Sequence, residues 1–306
     1  MNLLVTGAAG FIGRNLMRSL PSGWRVTATC LDEEDFPDFL QHHARCEALP
    51  FRVDLTDPQA VARLRSVSAS FDACVFLAAN GDPAVSVERP AFDLRSNTLT
   101  VVNLLENVRF GRLIYFSSGA VYDRLHGPVS PQSQVNPRLP YAISKLASER
   151  YLEHFREAGC VGDVWAVRFF GAYGPFEPQR KIYGRLVRRF AFERNPRFVI
   201  RGDGQNLIDA MYIDDAVRAI HKLLETPERG ATVDLSCAEP LTLTELVSKA
   251  AAAFGLEAEI SYEGIVPEYI QFYSVDEAMR QRCGFRPAVP LSEGLHRFAA
   301  HLQSGA

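Results

Sequence analysis

The chain has 306 residues, 47% hydrophobic and 23% charged, with a formal net charge of −3. That length accommodates one large domain or two modest ones with a sizeable core, and the charge offers no general attraction to nucleic acid or to an anionic membrane. No stretch approaches the roughly 20 apolar residues that span a bilayer. The opening MNLLVTGAAG has neither a basic leader nor a cleavage site. The six cysteines are scattered and none lies in a CxxC pair, which fits a reducing, cytoplasmic setting. His42 and His43 form the only close histidine pair; in so polar a segment they are read as no metal site.

Apolar runs and helical patterns alternate along the chain. NLLVTG (2–7) reads as a buried strand, followed by helical spacing over 11–20. Strands are expected at 25–31, within 47–55, at 72–79, 112–118, 164–170 and 231–236. Helices are expected at 57–67, 98–109 and 141–159, and in the tail near 243–255 and 292–303. Strands apolar on both faces and alternating with helices imply a parallel sheet covered on both sides. The expected fold is α/β, a Rossmann-type doubly wound sheet with a smaller, interleaved C-terminal domain. Residues 1–170 plus 208–236 would bind a dinucleotide, and 171–207 plus 237–306 would bind substrate.

TGAAGFIG sets Gly7, Gly10 and Gly13 between the first strand and first helix, with Phe11 and Ile12 inside the turn. Glycine permits the positive φ and close approach that a pyrophosphate turn requires, and the helix start offers free N–H groups. Far downstream, YAISK places Tyr141 and Lys145 four apart, on one helix face. Alone, that pair is common in ordinary helices. Before it, YFSSGAVYD ends a strand and supplies Ser118.

The G-x-x-G-x-x-G spacing, the serine and YxxxK together resemble the short-chain dehydrogenase/reductase superfamily, in its extended, nucleotide-sugar epimerase/dehydratase branch. The resemblance runs through most of residues 1–300. It implies a catalytic Ser118, Tyr141 and Lys145, with the lysine also bonding the cofactor ribose and, together with the cationic nicotinamide ring, lowering the tyrosine pKa. It also implies cofactor contacts from Gly7, Gly10, Phe11, Ile12, Gly13, Asp54, Leu55, Leu77, Ala78 and Ala79, with Asn97 ordering the central helix and sheet. Read without the resemblance, DLTDP fits an N-cap for the next helix equally well. At the end of the second strand the ribose-binding acid is replaced by Cys30, and Asp32 two residues on is the candidate substitute. The acids at 32–35 favour NAD, while Arg14 and Arg25 leave NADP open.

The resemblance implies redox chemistry at a carbinol carbon. Gly119 and Ala120 follow Ser118 where dehydratases carry an acid, which disfavours dehydration. A 4-epimerase of a nucleotide sugar is expected; the alternative is a reductase acting on a keto-sugar or a smaller carbonyl compound, and a cofactor-binding sensor ranks below both. The substrate grip departs from the family: Gly171 stands for an asparagine, Ile208 for an arginine, and a later phosphate-binding arginine has no counterpart before residue 273. Either Arg180 and Lys181 grip the diphosphate, or the substrate carries none; a solvated face is the plain reading of 180–189. Ser86 sits where relatives contact the sugar. A homodimer through helices 98–109 and 141–159 is also implied, although their alanines and leucines suit an internal core equally.

Overall fold

The computed structural model describes residues 1–265 and 270–304. Seven strands form the central sheet: β1 (Asn2–Thr6), β2 (Arg25–Cys30), β3 (Glu47–Arg52), β4 (Ser70–Phe76), β5 (Arg109–Ser118), β6 (Val161–Phe169) and β7 (Thr232–Leu235). Their spatial order is β7-β6-β5-β4-β1-β2-β3, with every pair parallel. The order reverses between β1 and β4, and in such sheets ligands lie there, beyond the carboxyl ends of the strands.

The side-chain period of two accounts for the layers. Leu3 and Val5 enter one core cluster, with Leu16 and Ile220 from helices on that face. Leu4 enters the other, with Leu104 and Leu152. β3 departs from the expected pattern because it is the sheet edge: only two of its six residues are even partly buried. Its Pro50, which cannot donate to a ladder, is tolerated there for the same reason.

Element boundaries shift modestly from the sequence reading. The first helix, α1, spans Phe11–Met17. The expected helix 57–67 is two short pieces, Pro58–Ala62 and Leu64–Val67, the first capped by Asp57 accepting from the Gln59 N–H at 2.9 Å. The long helix, α2, spans Pro140–Glu157. Helices at Phe36–His43, Pro83–Glu88 and Pro90–Leu94 were absent from the sequence reading, as was the π-turn Arg95–Leu99.

After β6 the chain leaves the sheet, returns for β7 and leaves again. Ala172–Tyr173 pairs with Met211–Tyr212, and Arg197–Arg201 with Glu259–Glu263. Leu207–Ile208 pairs with Leu241–Thr242. Gln271–Ser274 reaches back to pair with His126–Val129, a strand that follows Ser118 by only eight residues. The tail helices lie at Leu243–Ala253 and Leu291–Ser304. Among the described residues, no helix is long and apolar enough to cross a membrane.

Candidate active site

The glycine turn leaves β1 at the reversal point, and its three glycines are required for different reasons. At Gly7, with φ +64°, an added Cβ would lie 2.8 Å from the Ala78 nitrogen, so the turn presses on the backbone that follows β4. At Gly13 a Cβ would lie 2.5 Å from the carbonyl oxygens of both Gly7 and Ala8. Gly10 is different: its Cβ would meet only the Gly7 oxygen, at 3.2 Å. Packing therefore does not demand a glycine at 10, whereas a ligand backbone lying close would. No side chain caps α1 at Gly10 and no acid lies in its first turn, which leaves its leading N–H groups open to an anion. These residues fit a dinucleotide. Phe11 and Ile12 are partly buried against the core beside them. The turn after β4 is bound to β1 through Thr6 Oγ1, which accepts from the N–H groups of Leu77 and Ala78 at 3.1 and 3.2 Å; Ala79 follows, exposed.

At the second strand, Cys30 is the last residue and Asp32 is exposed, ion-paired to Arg52. The two arginines that left NADP open are accounted for by position. Arg14 forks onto both oxygens of Asp35 at 3.0 and 2.8 Å, with its guanidinium over the Phe39 ring. Arg25 begins β2, at the opposite end of the sheet from the carboxyl edge. Asp54 accepts from the N–H and hydroxyl of Thr56, both at 2.8 Å, and Leu55 beside it is buried. The helix cap is Asp57, so the capping alternative does not account for Asp54.

Ser118 ends β5, and its hydroxyl accepts from the Ala120 N–H at 3.1 Å. Tyr141 stands in the first turn of α2, and Lys145 one turn on is buried. The Lys145 ammonium donates to the Phe116 carbonyl at 2.9 Å and lies 5.0 Å from the Tyr115 ring centre and 5.9 Å from that of Tyr141. Burial lowers the Lys145 pKa to about 8, against the pull of Asp93 and Glu149. The lowered tyrosine pKa expected from the sequence includes the cationic nicotinamide ring; the protein's own groups act in the other direction. Burial raises the Tyr141 phenol, the Ser118 hydroxyl pulls it back, and Asp93 raises it further. Desolvation penalises a phenolate before any nearby ammonium is counted.

A polar cluster behind the pair was missed in the sequence. Asp93, 1% exposed, accepts from Asn80 at 2.8 Å, Asn97 at 2.9 Å and Ser144 at 2.7 Å. Asn97 also accepts from the Asn80 N–H at 2.8 Å, so it ties the turn after β4 to α2. Ser86 is fully buried: its hydroxyl donates to the Pro83 carbonyl and accepts from the Tyr141 N–H at 3.1 Å. That oxygen is spent on seating the tyrosine, which corrects its reading as a substrate contact. Finding Asp93 from sequence would have required knowing that the segment 80–97 packs on α2.

On the facing wall, Gly171 has φ +137° and its carbonyl accepts from the Met211 N–H at 3.1 Å. An asparagine would be strained there. Ile208 packs against the main core. Arg180 reaches from the loop before helix Ile182–Val187 to Asp82 at 2.9 Å. Asp82 also caps the helix that carries Ser86. Lys181 adjoins, as the N-cap residue of helix Ile182–Val187. Among the described residues, no group of three His, Cys, Asp or Glu side chains is placed to hold a metal ion.

Comparison with known proteins agrees with this geometry. The model of the NAD dependent epimerase/dehydratase family matches residues 3–236. An uncharacterized UDP-glucose epimerase of Bacillus subtilis is 28% identical, over 99% of this chain and 98% of that protein. A dTDP-glucose 4,6-dehydratase of Streptomyces griseus is 29% identical, over 96% and 92%. Among solved structures, MoeE5 in complex with UDP-glucuronic acid and NAD superposes with a TM-score of 0.83 at 28% identity, covering 100% of both chains.

Proposed function

This chain belongs to the NAD-dependent epimerase/dehydratase family and is a NAD-dependent enzyme of the extended short-chain dehydrogenase type; from that premise, we propose that it 4-epimerises a nucleotide sugar, with Tyr141 as acid and base. The observation that carries the proposal is the meeting of Ser118, Tyr141 and Lys145 at the carboxyl edge, with no acid beside Ser118. A side chain on Gly119 would press on the Phe170 ring, 3.2 Å from a Cβ. An acid there would have to displace that ring by a few tenths of an ångström, and neither Gly119 nor Ala120 supplies one.

NAD, when bound, supplies a ring that takes hydride from the carbinol carbon and returns it. Tyr141 removes the hydroxyl proton and gives it back. Ser118 holds the same oxygen by a hydrogen bond, and Lys145 opposes the cost of the phenolate while bonding the ribose. Return of hydride to the opposite face of a turned ketone inverts the carbon. We assign Gly7, Gly10, Phe11, Ile12, Gly13, Asp54, Leu55 and 77–79 to the cofactor, with Asp32 at the ribose. Arg180 and Lys181 serve the substrate's anionic group, beside Gly171. Residues 1–170 plus 208–236 form the cofactor side, and the rest forms the substrate side.

Gly171 and Ile208 bring no charge to their wall, and this favours a second reading: reduction of a keto-sugar or of a smaller carbonyl compound without a nucleotide. We also propose a homodimer through the helices at 83–107 and α2. Val87, Leu94 and Ile143 there are 61%, 53% and 47% exposed, apolar side chains that a second copy would cover. Free thiols throughout suit the cytoplasm.

The test is to denature the purified protein, identify the nucleotide it releases, and assay UDP-glucose and UDP-glucuronic acid for inversion at carbon 4. Tightly retained NAD with inversion supports the epimerase. An empty protein that consumes NADH without inverting either sugar supports the reductase, and no nucleotide affinity overturns both.

A further inference from the structure

Helix α2 presents Tyr141, Lys145 and Glu149 at successive i, i+4 positions, so they form one stripe. That stripe meets the last three residues of β5 one for one. Lys145 bonds the Phe116 carbonyl, Glu149 accepts from the Ser117 hydroxyl, and Tyr141 is influenced by the Ser118 hydroxyl. Glu149 is 4% exposed and is held on both oxygens by Arg168, at 3.1 and 2.8 Å. Arg168 lies on β6 directly across the ladder from Ser117. It also donates to the Tyr122 hydroxyl at 3.1 Å, and Tyr122 donates to Asp234 on β7 at 2.7 Å. Asp234 accepts in turn from Ser274 at 2.7 Å. The turn Gly119–Tyr122 is thereby anchored before Ser118 at residue 117 and after it at residue 122.

We propose that Glu149, gripped by Arg168, is a positioning residue for the acid–base step, setting through Ser117 where Ser118 stands relative to Tyr141. The proposal rests on the assignment of Ser118 and Tyr141 as the reacting pair, not on the identity of the sugar. A buried ion pair adds little net stability over apolar packing of the same volume, so stability alone is a poor account of four buried polar groups set beside the reacting hydroxyls. Placement is a better one, because a misplacement of about 1 Å costs on the order of a hundredfold in rate. Glu149 has a second, electrostatic consequence. The groups facing the Lys145 ammonium are the carboxylates of Asp93 and Glu149, the Phe116 carbonyl and the rings of Tyr115 and Tyr141, and both carboxylates hold the proton on Lys145 against burial.

The experiment compares the full-length, NAD-loaded chain with its Ser117→Ala, Glu149→Gln and Glu149→Asp variants. Turnover of UDP-glucose is followed across pH, and the Lys145 ammonium is titrated by nitrogen NMR without substrate. Ser117→Ala is expected to lower kcat roughly tenfold and Glu149→Gln roughly a hundredfold, with KM and NAD retention unchanged. Glu149→Gln also moves the alkaline limb, and the Lys145 titration, to lower pH, since a lysine with one fewer anion nearby loses its proton earlier. Glu149→Asp restores the limb but not kcat, because the shorter side chain keeps the charge and loses the reach. Variants that melt earlier yet keep wild-type kcat per NAD-bound molecule and an unmoved limb overturn the proposal. If Glu149→Gln does not fold around an unpaired Arg168, the other two variants carry the same test. If UDP-glucose is not turned over, the substrate assignment fails, while the Lys145 titration still decides the effect of Glu149 on its neighbour.

Discussion

The two walls of the cleft are built on opposite principles. The cofactor wall is made of backbone pressed on backbone: Gly7 against Ala78 and Gly13 against two carbonyls, with no room for a methyl group. The proposed substrate wall, from Gly171 to Asp209, holds buried carboxyls without partners. Glu177 Oε2 is buried without a hydrogen-bond partner, and burial raises that carboxyl to about 8. Asp209 is raised to about 6, also by burial. A wall fixed by sterics suits a ligand that is the same in every turnover. A wall with unpartnered carboxyls suits recognition, because buried groups that lack a partner make strong demands on whatever arrives.

Five substitutions would break or sharpen that contrast. The largest effect is expected from Tyr141→Phe, which keeps the ring and removes the proton carrier. Turnover should fall by about a thousandfold or more while NAD release on denaturation stays that of the wild type; unchanged turnover would take Tyr141 out of the proton transfer. Next, Gly13→Ala should cost about 3 kcal/mol in a denaturant melt through overpacking. Gly10→Ala should cost less than about 0.5 kcal/mol and yet weaken NAD binding roughly tenfold. If both lower stability alike, the distinct role of Gly10 is wrong.

On the other wall, Glu177→Gln should stabilise the protein by about 1 kcal/mol at pH 8. The sign follows from the raised carboxyl: the folded state holds the proton better than the unfolded chain, so wild-type stability falls as pH rises from 4.5 toward about 8. The advantage of glutamine should therefore vanish near pH 4.5, and a pH-independent difference would deny that the charge is the cause. The last effect belongs to Arg180→Ala. Its pair with Asp82 has an arginine side chain 62% exposed, and removing it should cost under about 1 kcal/mol. KM for a nucleotide sugar should nonetheless rise; an unchanged KM would take Arg180 out of the substrate site.

Legibility followed the range of the interactions. The glycine turn, the strand–helix alternation and the Tyr141–Lys145 stripe repeat at short spacing, so they could be read directly. Glu149 lay in the same i, i+4 register and was overlooked only because YxxxK stops at Lys145. Arg168 could not be found that way, since its place opposite Ser117 exists only once β5 and β6 pair. Ser86 shows the reverse error: its position along the chain suggested a ligand contact, and folding turned its hydroxyl onto the Tyr141 N–H.

The sequence by itself determined the fold class and the family, because backbone conformation and side-chain periodicity are local properties written in residue type. Tertiary structure alone decided which charges meet. It paired Arg14 with Asp35 and sent Arg25 to the far end of the sheet. It bound Glu149 to Arg168. It also buried the Tyr141 phenol, which raises its pKa. Desolvation and ion pairing depend on what the whole chain brings alongside a group, and no window of sequence contains that neighbour.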